Sequence, residues 1–114
     1  MHNRDPLSSQ QFQILLALTD VDRHGYGIIL EVAERTRGAL RLGTGALYTA
    51  LARLAAAGLV RETERRDAHD SRRRYYTLTK TGRESLKAEV TRLETMLTHA
   101  RVKGVRSAAA KVRS

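Results

Sequence analysis

Near Leu59 the apolar period of this chain changes from that of a helix to that of a strand, and near Thr79 it changes back. That double switch confines the fold to helices packed around one small β element. Residues 59–65 and 73–79 are β-prone and flank Asp67-Ala68-His69-Asp70-Ser71, a polar run suited to a turn, so they predict a hairpin with a charged tip. In its second strand Tyr76 and Leu78 share the face predicted to meet the core, and Arg73, Tyr75 and Thr77 share the other.

Upstream of the hairpin the helical period recurs three times. Ser8 with Gln11 forms a capping box, and Leu7 with Phe12 a hydrophobic staple, which starts a first helix running to about residue 19. Residues 20–27 are turn-like. Ile28, Ile29, Val32 and Ala33 then mark a second helix that Gly38 stops, and Leu40-Arg41-Leu42 alternates long enough for a very short strand. Gly43-Thr44-Gly45 opens a third helix with Leu47, Ala50, Leu51 and Leu54 inward, ended by Gly58. Downstream, Thr79 or Thr81 caps a fourth helix. Its apolar residues Leu86, Val90, Leu93, Leu97 and Ala100 repeat as a two-heptad seam. Such a seam either packs back on its own domain or pairs with its copy in a second subunit. The expected organisation is one domain of three helices and a hairpin over residues 1–79, a C-terminal helix over 80–104 and a basic, disordered tail over 105–114.

A chain of 114 residues, 41% of them hydrophobic, fits one domain that folds without disulfides or metal. The absence of Cys excludes thiol nucleophiles and cysteine-ligated metal sites, and it suits a reducing cytoplasm. His2, His24, His69 and His99 have no helical pairing that would hold zinc. No apolar run approaches the roughly 18 residues of a membrane span, and no secretion signal precedes the first helix, so a cytoplasmic protein without a membrane partner is expected. With 21 Lys plus Arg against 12 Asp plus Glu, the net charge is +9. That balance favours a polyanionic partner.

Helix, helix, short strand, helix, hairpin is the order of a winged helix-turn-helix: mainly α with a small β-hairpin, followed by the C-terminal dimerisation helix. In that arrangement the third helix enters a DNA major groove and the hairpin projects toward a neighbouring backbone. His24-Gly25-Tyr26-Gly27-Ile28, then Leu42-Gly43-Thr44-Gly45-Ala46-Leu47-Tyr48 with Leu51, Arg53, Leu54 and Gly58-Leu59-Val60, then Arg73-Arg74-Tyr75-Tyr76-Thr77-Leu78-Thr79 with Gly82 resemble PadR-type transcriptional regulators across nearly all of residues 7–104. The resemblance implies a dimeric winged-helix DNA-binding protein, usually a repressor, of the short subgroup with a single C-terminal helix. One stretch departs from the family's Ser-Pro-Gly-Thr: this chain has Gly43-Thr44-Gly45-Ala46, which lacks the proline and the threonine hydroxyl at Ala46.

On the third helix Thr44, Gly45, Tyr48, Thr49 and Arg53 lie off the leucine stripe and are candidate DNA contacts. Small residues at the first turn admit a phosphate, and Tyr48 either donates its hydroxyl to one or packs as an ordinary half-buried side chain. Arg72, Arg73 and Arg74 place guanidinium groups on both faces of one strand; they suit phosphates, or they solvate an edge. Tyr26 and His24, at the start of the second helix, either meet phosphate or fix the turn. Leu86, Val90, Leu93, Leu97 and Ala100 are the candidate dimer contacts. Five cations and no acidic residue over 101–114 either attract DNA or merely solubilise.

Catalysis is not expected, and neither is a cofactor. Gly43-Thr44-Gly45 lacks the third glycine of a dinucleotide loop, and Lys80-Thr81-Gly82 has no accompanying Ser-x-x-Lys. The sequence therefore reads as a homodimeric repressor that binds duplex DNA at a pseudo-palindromic operator. The alternatives are a winged-helix module for protein contacts or one that coats DNA without sequence preference. An effector ligand stays open, although zero Trp and one Phe disfavour an aromatic pocket.

Overall fold

A computed structural model describes residues 6–66 and 72–108. The hairpin tip at residues 67–71, the first five residues and the tail from residue 109, with its Lys111 and Arg113, lie outside the described residues. The elements run α1 (Ser9–Ala17), β1 (Arg23–His24), α2 (Gly25–Arg35), α3 (Thr44–Ala56), β2 (Val60–Arg66), β3 (Arg72–Leu78) and α4 (Lys80–Val102). The strands form one antiparallel sheet in the order β1-β3-β2. Four helices beside a three-stranded sheet make the winged-helix fold that the sequence predicts.

One element is elsewhere. The short strand expected at residues 40–42 is absent; β1 instead pairs Arg23 with Tyr76 and His24 with Tyr75. Leu40 and Leu42 do point inward, but as loop residues packed against the core with no strand to bond to. The segment expected to be a turn at residues 25–27 is the first turn of α2, because the His24 side chain caps it: Nδ1 accepts from the Gly27 amide at 3.0 Å.

The capping box at Ser8 and Gln11 forms as the sequence predicts, with both bonds at 3.0 Å. Leu7 and Phe12 pack on a core centred on Ile14, Leu15, Ile28, Val32, Leu47 and Leu51. From the far end of the chain the Glu89 carboxylate, almost fully buried, accepts from the Leu7 amide at 3.1 Å and from Arg92. Its pKa is held below the ordinary carboxylate range, first by the Arg92 hydrogen bond. So α4 fastens the entry to α1.

Gly58 ends α3 at φ +79°, where the Leu59 amide bonds the Leu54 carbonyl at 2.9 Å. This αL reversal suits a residue without Cβ and turns the chain into β2. Thr79 is the true start of α4: its hydroxyl oxygen accepts from the Gly82 amide at 2.9 Å and donates to the Gly58 carbonyl at 2.6 Å. No described helix is long and apolar enough to cross a membrane.

Candidate nucleic-acid interface

α3 buries Leu47, Ala50, Leu51 and Leu54 and leaves Thr44, Gly45, Ala46, Thr49, Ala52 and Arg53 exposed. At 100° per residue the outward strip centres on Gly45, Thr49 and Ala52, with Tyr48 on one flank and Arg53 on the other. Side chains cap the other three helices, through Ser8, His24 and Thr79, whereas Gly43 at the head of α3 offers no side chain. The first-turn amides of α3 are thus left for an outside acceptor.

Tyr48 is 41% exposed and lies over the start of α2. A Cβ on residue 25 would come 2.2 Å from the Tyr48 hydroxyl oxygen. Gly25 therefore leaves room for the Tyr48 ring, which a Cβ there would displace, and the close approach aims the phenol at the N-terminus of α2. There Tyr48 lines a cleft of about 260 Å³ with His24, Gly25, Tyr26, Arg73 and Arg74. Tyr26, 60% exposed, forms its rim. Tyr26, Tyr48 and two wing arginines, singled out separately in the sequence, thus share one surface.

The wing register divides the three consecutive arginines. Arg72 and Arg74 lie on the face of Glu64 and Glu62 and pair with them at 3.3 and 3.1 Å. Arg73 lies on the other face, opposite Arg65, with Nη1 3.2 Å from His24 Nε2. Arg65 is engaged by Asp22 at 2.5 Å and stacks 4.7 Å from the Tyr75 ring, which itself meets His24 edge-on. Asp22 is held below the usual carboxylate range, foremost by the Thr77 hydroxyl and then by Arg65. Arg74 also donates to buried Tyr76, whose phenol is pushed up by burial and next by Glu62. The arginines are consequently fixed in direction, which lowers the entropy lost on meeting a phosphate.

The seam on α4 splits. Leu86 is 5% exposed and belongs to the domain's own core, so the free stripe begins at Val90 and continues through Leu93 (39% exposed) and Leu97 (47%), with Ala100 half-buried and Met96 joining it. Beside it, α1 and α4 form a largely apolar groove of about 410 Å³ lined by Leu16, Thr19, Leu86 and Val90, with Arg83 and Lys87 at its edge.

The sequence singles out His24 but not its capping bond, and places Tyr76 on the core face but not beside Arg74 and Glu62. Asp22 and Glu89 carry no local signal, because Thr77 and Arg65 for the first and Leu7 for the second lie far along the chain. Among the described residues no cluster of His, Asp and Glu could hold a metal ion.

Two variants test the placement of Tyr48. On the expectation from the sequence that Tyr48 donates to a phosphate of DNA, Tyr48→Phe should lower DNA affinity by about tenfold with the fold intact, the effect of one lost hydrogen bond to a charged group. Gly25→Ala should lower it at least as much, because the new methyl displaces the whole ring. Full affinity of both in a gel-shift titration removes Tyr48 from the interface.

A family model described as the transcriptional regulator PadR-like family matches residues 14–88. A solved transcriptional regulator from Clostridium thermocellum aligns with TM-score 0.71 at 26% identity, over 84% of this chain and 92% of that one. A PadR family transcription regulator from Clostridium difficile gives 0.71 at 24%, over 82% and 96%. Bacillus subtilis PadR, solved in complex with operator DNA, gives 0.66 at 22%, over 76% and 49%. The last two likenesses are of fold. In sequence, a 37.1 kDa protein in transposon TN4556 of Streptomyces fradiae is 46% identical over 79 residues, 69% of this chain and 21% of that protein. The chain thus spans about a fifth of the length of that curated relative.

Proposed function

Because the chain belongs to the PadR-like family of transcriptional regulators, we propose that it is a repressor that binds a pseudo-palindromic operator in duplex DNA as a homodimer, in the cytoplasm. The observation that carries this reading is the cleft where Tyr48 of α3, Tyr26 of α2 and Arg73 and Arg74 of β3 converge beside the exposed face of α3. Three elements then present hydrogen-bond donors, two of them cationic, around a helix whose outer residues are small, which lets it approach base edges closely. The operator complex of the Bacillus subtilis relative supports the same use of this fold.

The apolar stripe Val90, Leu93, Met96 and Leu97 supports pairing of α4 with its copy, since four large apolar side chains exposed along one helix mark an association surface. Two copies of α3 would then be held at a fixed separation and enter successive major grooves. Occupancy of the operator would block transcription. No catalytic step is part of this reading.

The test is competition between a duplex enriched from a randomised library by the wild-type protein and a random duplex. A specific regulator should prefer the first by roughly 10³-fold or more. Replacing Arg73 and Arg74 together by Ala should weaken binding to both duplexes alike, as phosphate contacts do. Equal affinity of the wild type for the two duplexes would overturn sequence-specific recognition.

A further inference from the structure

The wing cleft occupies only one flank of α3. On the other flank the first turn of α1 runs beside it, and the two helices enclose a groove of about 300 Å³ lined by Ser8, Gln10, Gln11, Gly45, Thr49 and Arg53, among others. Among the described residues no acidic one lines it. Ser8 and Gln11 are engaged with each other in the capping box. The side chains of Gln10, Thr49 and Arg53 make no hydrogen bond or ion pair among the described residues. What remains facing the groove is a carboxamide, a hydroxyl and a guanidinium, and at Gly45 nothing would obstruct even an added Cβ within 4 Å.

The dimensions of DNA say what such a groove can hold. A major groove is about 12 Å wide and a helix with its side chains about 10–12 Å across, so a helix lying in it meets a sugar-phosphate strand on each flank. Tyr48 and the wing arginines lie toward one flank. Arg53 lies toward the other, with Thr49 between it and the centre of the strip, and α1 stands beyond them, so that a second strand on this flank would run over the groove between the two helices.

We infer that Gln10, Thr49 and Arg53 form a second phosphate clamp, which grips the DNA strand opposite the one held by the wing cleft. The inference rests on the DNA-binding reading above and adds α1 to the interface. Donors predominate in the groove, as a phosphate requires, and Arg53 carries the charge that the contact neutralises. With both flanks gripped, α3 is fixed in roll as well as in depth.

The experiment measures affinity for the library-selected duplex and for a random duplex across a salt series, with Gln10→Ala, Gln10→Glu and Arg53→Ala. Arg53→Ala should weaken both duplexes by about ten- to a hundredfold, since a dimer carries two copies, and should flatten the dependence of log affinity on log salt by about 1 per copy. Gln10→Ala should weaken both duplexes with the slope unchanged. Gln10→Glu, which keeps the size and suits the first turn of a helix, should weaken them more, because it sets an anion against a phosphate. Unchanged affinity in Arg53→Ala and Gln10→Glu would overturn the clamp while leaving DNA binding intact, and a loss confined to the selected duplex would replace it with base reading. A wild type that binds neither duplex would overturn both proposals.

Discussion

Leu93→Asp is expected to abolish the proposed pairing of α4 with its copy, leaving a monomer, and to lower affinity for the selected duplex by about a hundredfold or more, the loss that accompanies one reading head in place of two joined ones. Leu93 sits in the middle of the free stripe on α4, between Val90 and Leu97 and about one turn beyond Glu89, whose bond to the Leu7 amide ties α4 to its own domain. A carboxylate there would have to be desolvated against the apolar stripe of a second α4. Because Leu93 touches no part of the core cluster, the monomer should keep its fold and its far-ultraviolet circular dichroism. Sedimentation equilibrium reads the outcome. A variant that still sediments as a dimer rejects α4 as the interface.

Gly82→Ala should lower stability by about 2 kcal/mol, which corresponds to a fall in Tm on the order of 10 °C at fixed protein concentration. Helix propensity alone predicts the opposite sign, since Ala is favoured over Gly by about 1 kcal/mol inside a helix. The geometry decides against propensity. A Cβ at residue 82 would lie 2.1 Å from the Leu59 carbonyl oxygen and 2.7 Å from Leu78 Cδ1. That carbonyl cannot yield freely, because it accepts the Thr79 amide at 3.1 Å. Gly82 is thus the point where α4 crosses the turn between α3 and β2, and a bulkier residue would pry α4 off the rest of the fold. A thermal melt that moves upward would show that the crossing tolerates a methyl group.

The elements that announce themselves through local chemistry were legible in the sequence. Ser8 and Gln11 cap α1, Gly58 stops α3, and the leucine stripe of α3 fixes which residues face outward. Tyr76 and Leu78 turn inward as their parity requires. What could not be read was set by partners far along the chain. A two-residue strand exists only because β3 lies next to it, so Arg23 and His24 carry no strand signal of their own, whereas Leu40 and Leu42 alternate without any neighbour to pair with. The glycines at residues 25 and 27 suggested a turn, yet Gly25 is small to admit Tyr48, and the His24 side chain turns the segment into a helix start. Parity already divided the arginine run between the two faces of the strand; what it could not give is the register with β2 that supplies Arg72 and Arg74 with carboxylate partners. Likewise the heptad seam gave no hint that Leu86 belongs to the core and only its continuation is free.

The dependence of affinity on salt, measured on the library-selected duplex, tests the central claim most directly. If two copies of the wing cleft and of α3 grip the backbone, each dimer neutralises on the order of six to ten phosphates, and log affinity should fall against log salt with a slope of about −5 to −9. A flat response would mean that the convergent tyrosines and arginines do not hold phosphates and that the exposed face of α3 serves some other purpose.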